Sequence, residues 1–77
     1  MTDPTLALED GRLALVDQGV TRLDACGQRV WRVEAEPGDP IVEVRLAGDV
    51  ALANTWNGVQ LHIALATGRV LDRRPVK

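Results

Sequence analysis

His62 and Cys26 are the only histidine and the only cysteine in the chain, and they are the side chains best suited to acid–base or nucleophilic work. His62 sits in Val59-Gln60-Leu61-His62-Ile63-Ala64, on the polar side of an apolar/polar alternation. A general base needs an orienting partner and a metal ligand needs companions. The sequence offers no second histidine for either task. Cys26 lies beside Gly27 in a turn-like stretch, where a reactive thiolate would need a cation or a helix N-terminus. Arg22 and Arg29 are the nearest cations. We therefore read His62 as an outward strand residue and Cys26 as a small turn residue. A single cysteine also rules out an intramolecular disulfide.

Carboxylates are more plentiful. Asp10, Asp17, Asp24, Glu36, Asp39, Asp49 and Asp72 mostly flank turns, and no calcium-loop spacing is present. Paired carboxylates could run glycoside hydrolysis or hold a hard cation. Asp in a turn has a simpler local reason, since its side chain can bond its own backbone. Arg69, Arg73, Arg74 and Lys77 form the one basic cluster. Nucleic-acid binding would want more cations and exposed aromatics, and the chain has no Phe or Tyr. We read the cluster as a solvated tail, with docking of an acidic protein surface as the better functional alternative. Trp31 and Trp56 carry more information, because tryptophan is enriched in interface hot spots. Trp31 aligns with Val33 and is expected in the core. Trp56 stands next to Asn57-Gly58 at an expected hairpin tip, either capping the core edge or anchoring a partner. Asn54, Asn57 and Gln60 would supply a polar rim around it.

The elements that must position these residues read as short strands. Thr5–Asp10, Arg12–Asp17 and Val20–Asp24 are separated by turns at Glu9-Asp10-Gly11 and Asp17-Gln18-Gly19. After Asp24-Ala25-Cys26-Gly27 comes Gln28–Glu34, with Trp31 and Val33 on one side and Arg32 and Glu34 on the other. Glu36-Pro37-Gly38-Asp39-Pro40 is the strongest breaker and the natural midpoint. Beyond it, Val42, Val44 and Leu46 are expected to share a face against Glu43 and Arg45. Val50–Trp56 is ambiguous because its alanines also suit a helix, and we read it as a strand. Val59–Leu65 alternates clearly, and Arg69–Arg73 is a last short strand. Arg74-Pro75-Val76-Lys77 would be a frayed tail or a weak edge.

Seventy-seven residues fit a single domain, 1–77, with a small core that a partner subunit could extend. Residues 1–39 hold four arginines and eight acids, net −4; residues 40–77 hold five basic groups and three acids, net +2. We take this as an ordinary mixed surface. The N-terminal stretch shows no basic-then-apolar leader, and no apolar run approaches the ~20 residues of a membrane span. A cytoplasmic location is the default expectation.

The two halves also resemble each other. With Gly19 set against Gly58, Gly19–Arg32 lies beside Gly58–Arg73, and Leu13-Ala14-Leu15 lies beside Ala51-Leu52-Ala53. This gives a pseudo-repeat of 12–32 and 50–73. Its offset of about 40 residues matches a four-stranded propeller blade. Trp56–Asp72, and more loosely Gly19–Arg32, resembles the repeat unit of pyrroloquinoline-quinone-type β-propellers, in which a strand leads into Thr-Gly and a short strand follows. The aromatic residue expected after that turn is Leu71 in the second copy, while Trp31 stands at the matching point of the first. Two blades cannot close a propeller. The family's cofactor residues come from several blades, so none transfers, and no quinone cofactor is implied.

The expected fold is all-β: a small antiparallel sandwich or partly closed barrel of six or seven short strands, built from two related meanders. The expected function is a small non-catalytic protein-interaction module, of the kind of an inhibitor, an immunity-like protein or an accessory subunit. Its partner would be another protein or a second copy, through Trp56, Asn54, Asn57, Gln60, Arg73 and Arg74. No catalytic residue, metal or cofactor is assigned, and membrane binding is not expected. One rival is a small enzyme or ligand-binding barrel using His62 with a carboxylate. The other is nucleic-acid binding through the basic C-terminal segment.

Overall fold

The computed structural model describes residues 5–75. Eight strands form: β1 (Thr5–Leu8), β2 (Gly11–Val16), β3 (Gly19–Asp24), β4 (Arg29–Val33), β5 (Ile41–Ala47), β6 (Val50–Thr55), β7 (Val59–Ala64) and β8 (Val70–Pro75). They make two four-stranded antiparallel meanders, β1-β2-β3-β4 and β5-β6-β7-β8, packed as a small all-β sandwich. The count exceeds the expected six or seven because each meander completes a fourth strand. The ambiguous Val50–Thr55 segment is a strand. Lys77 of the basic cluster lies outside the described residues.

Tight turns explain the meanders. Asp17 and Gln18 both take positive φ, 49° and 69°. That is the two-residue geometry whose twist suits a hairpin, here made without glycine. The β6–β7 connection is different. Gly58 N–H donates to Thr55 O at 3.1 Å, and of the turn residues only Gly58 has positive φ. This four-residue turn places Trp56 and Asn57 at its two central positions. Between the sheets, Pro37 and Gly38 occupy the central positions of a turn closed by Asp39 N–H to Glu36 O at 3.0 Å. Proline then glycine, with Gly38 at φ 77°, is the sequence such a turn favours.

Register decides which side chains meet. In the first sheet Leu6, Leu13, Arg22 and Trp31 form one row, and Leu15, Val20 and Val33 the next. In the second sheet Val44, Ala53, Leu61 and Arg73 form a row. These inward faces share one core in which Leu13, Val20 and Ile63 are wholly buried. Each such side chain contributes about 1.5–3 kcal/mol of transfer free energy. The alternation of β6 is the reverse of what size suggests: Ala51 and Ala53 point inward, and Leu52 points outward. Val42 departs from its expected face. A bulge between Ile41 and Glu43 takes it out of the ladder, and it is exposed while Val44 is buried. An extra residue in one strand shifts the side-chain alternation by one place.

Two side chains of the first sheet converge on the Leu65 carbonyl that follows β7. Trp31 Nε1–H donates to Leu65 O at 2.8 Å. Arg22 Nη1 donates to the same oxygen at 2.5 Å, and its Nη2 pairs with Asp10 at 3.0 Å. The Arg22 Nε is buried with no protein partner. The Trp31 ring lies against Gly68, where an added Cβ would come within 2.7 Å of it.

The resemblance to a quinone-type propeller does not hold. The chain makes two separate four-stranded antiparallel sheets, neither closed nor curled into a propeller-like arrangement. The matched residues encode local hairpins, and hairpin chemistry is common to many β architectures. It specifies turn and strand, and says nothing about how sheets are set around an axis. Among the described residues no helix is long and apolar enough to cross a membrane.

Candidate functional site

The β6–β7 turn is held in place from both ends of its own loop and from the inter-sheet loop. Thr55 Oγ1 accepts from Val59 N–H at 3.1 Å, closing the turn internally. Trp56 N–H donates to Pro40 O at 2.9 Å. Asn57 N–H donates to Asp39 Oδ1 at 2.8 Å, and Asn57 Nδ2 donates to Gly38 O at 3.3 Å. Backbone N–H groups that a hairpin tip usually leaves to water are thus bonded to Asp39 and Pro40, and the Asn57 side chain adds a bond to Gly38. On this fastened tip the Trp56 side chain is 73% exposed, against 8% for Trp31. A large aromatic surface is left in water on a backbone that has little freedom left to lose.

The other expected site residues fall on two faces. Asn54, Gln60 and Arg74 pair across strands in one outward row that also includes Glu43. Glu43 Oε1 accepts from Arg45 Nε at 2.8 Å and from Asn54 Nδ2 at 3.0 Å. Asn54 Oδ1 then accepts from Gln60 Nε2 at 3.2 Å, and Gln60 Oε1 meets His62 Nε2 at 3.0 Å. An ionised carboxylate can only accept, so it sets the direction of every bond after it. His62 must carry its proton on Nε2. The Arg45 and Asn54 hydrogen bonds hold the Glu43 carboxyl below the usual carboxylate range. Opposite His62, Asp72 is likewise held low, first by Arg74, then by the Arg73 backbone N–H, with the nearby His62 a lesser cause. Arg74 Nε reaches Asp72 at 2.6 Å.

Arg73 points to the opposite side. It pairs with Glu36 across the mouth of a cleft of about 100 Å³ between the sheets. Val33, Ile41, Val59 and Leu61 line its apolar wall, and Glu36 and Asp39 line its polar side. At the end of β4, Glu34 is held below its ordinary range mainly by its bond to Arg32, 2.6 Å away. A second, shallower hollow lies beside Arg22 and Asp10.

The structure thus brings Trp56 and Asn57 together at the tip. Asn54, Gln60 and Arg74 lie on the outer face of the second sheet, and Arg73 lies on the inner side. His62 lines neither of these two clefts. Two cations of the basic segment, Arg73 and Arg74, are engaged by Glu36 and Asp72. Among the described residues no three His, Cys, Asp or Glu side chains converge as a metal site. Cys26 is exposed in its turn. Sequence reasoning passed over Asp39 as a site residue. Its one visible signal was its place in the breaker Pro37-Gly38-Asp39-Pro40, but its hydrogen bond to Asn57 spans 18 residues and has no local signature. No protein-family model and no curated protein matches the chain.

Proposed function

We propose that the chain is a small protein-interaction module that docks through the β6–β7 tip, with Trp56 as its anchor. The single observation that carries this is a tryptophan 73% exposed on a tip fastened by three hydrogen bonds to the inter-sheet loop. Tryptophan in such a place offers a large rigid contact area, and a pre-ordered backbone lowers the entropy cost of binding. The partner is another protein or a second copy of the chain. Trp56 in the β6–β7 turn and the bulged Val42 in β5 are both exposed apolar groups of the second half of the chain with no evident use inside the fold.

A photo-crosslinking amino acid at position 56, with a matched control at the exposed Val30 of the first sheet, tests this in the source cell. A discrete adduct from position 56 and none from position 30 is the expected result, and its mass separates a foreign partner from a second copy. Equal or absent adducts at both positions would overturn the proposal.

A further inference from the structure

The cleft beside the tip has the dimensions and the charge of a receptor for one particular kind of side chain. Its volume is about 100 Å³. A dry cavity of roughly 150 Å³ holds a benzene ring, so an aromatic anchor does not fit here and an unbranched chain of about four carbons does. The wall formed by Val33, Ile41 and Leu61 is apolar and belongs to residues otherwise buried in the core. The polar side is acidic. Glu36 is paired with Arg73, while Asp39 makes no ion pair among the described residues. Asp39 spends its Oδ1 on the Asn57 N–H. Arg73 itself lines the cleft and delivers its charge to Glu36, so one carboxylate of the acidic side already takes a cation as its partner.

We propose that the cleft receives a lysine side chain from a protein partner. Its methylene stem lies along Val33, Ile41 and Leu61, and its ammonium lies between Glu36 and Asp39. A compact ammonium suits the small volume better than a planar guanidinium fork. Arg73 is then the competing cation, and it must yield Glu36 to the incoming lysine. This proposal rests on the tip as the docking surface, because Asp39 both rims the cleft and holds Asn57. A lysine seated there brings the partner's backbone against Trp56.

The test is an NMR titration of the full chain with n-butylammonium chloride at low ionic strength, with n-butanol and butyrate as controls. The amides of Val33, Ile41 and Leu61 report the cleft. We expect saturable shifts there with n-butylammonium, about tenfold weaker binding of n-butanol, and none of butyrate. Asp39→Asn keeps the acceptor for Asn57 and should weaken n-butylammonium about tenfold, while Arg73→Gln should tighten it. No saturable shift in either the wild type or Arg73→Gln overturns the proposal, as does n-butanol binding as well as the amine. A failed titration alongside a cross-link at position 56 removes the lysine and leaves the tip. A saturating titration without that cross-link overturns the docking surface and with it the lysine of a protein partner.

Discussion

Strands β4 and β8 hold the same place, each the fourth strand of its meander, and meet opposite fates. β4 buries Trp31 and Val33, whereas every residue of β8 is exposed. Set side by side in the sequence, Trp31 corresponds to Leu71, which is 56% exposed. The difference lies in what stands across from each strand. Trp31 faces Gly68 and the Leu65 carbonyl of the second sheet. Both strands are edges of their sheets, but no residue of β8 is covered, and its Pro75 and two arginines suit an edge that should not recruit another strand. Two similar sheets thus make an asymmetric molecule. One contributes its fourth strand to the core, and the other leaves its fourth strand and its hairpin tip to solvent.

The widest separation between the two strands should appear on truncation. Trp31→Ala should cost about 3–5 kcal/mol, while Leu71→Ala should stay within about 0.5 kcal/mol, both measured by urea denaturation. A chain of this length has roughly 4–12 kcal/mol in all, so the first change removes much of the stability and the second almost none. Equal losses would break the comparison.

The turns before the two strands sharpen it. Gly27 and Gly68 both have positive φ, 83° and 78°. An added Cβ at Gly27 meets nothing within 4 Å, whereas at Gly68 it meets the Trp31 ring. Gly27→Ala should therefore cost only the backbone term, about 1–2 kcal/mol. Gly68→Ala should add an overpacking cost of about 1–3 kcal/mol. In a Trp31→Leu background that extra cost should shrink, as a double-mutant cycle would reveal. An unchanged excess would mean that the ring is not its source.

The smallest effect concerns acid. Glu34 follows β4, and Glu43 and Asp72 lie on the outer face of the second sheet; all three carboxyls are held below their ordinary range by arginine partners. A carboxylate with a lowered native pKa stabilises the fold above its unfolded value and loses that contribution as pH falls through the native one. Stability from these groups should thus be level above about pH 5 and decline below about pH 4. Because the pairs are exposed, the decline should flatten in high salt. Asp72→Asn should remove part of the acid dependence without touching the Trp31 contacts. An acid profile indifferent to both salt and Asp72→Asn would show that other groups govern it.

Much of this fold was legible in local sequence. Alternation placed β7, and the Pro37-Gly38 pair placed the crossing between sheets, because both are set by torsion angles of a few neighbouring residues. Alternation misled at Val42, where a bulge shifted the register by one place. At β6 the alanines gave little contrast, and only the structure shows that Ala51 and Ala53 face inward while Leu52 faces out. Large side chains such as Leu13 already fill the shared core, and close packing there needs small partners as well as large ones. At the candidate site, Trp56 and Asn57 could be named from their place beside a glycine turn. The roles of Glu36, Asp39 and Arg73 could not, since their bonds join residues 18 to 37 positions apart.

By itself the sequence determined the all-β class, the two meanders and most turns, since alternation, glycine and proline act through near neighbours. Only the tertiary structure decided that Trp56 is left in water rather than capping the core edge, and where a cleft opens. Burial is a property of what lies opposite a residue, and in this chain what lies opposite usually comes from the other sheet.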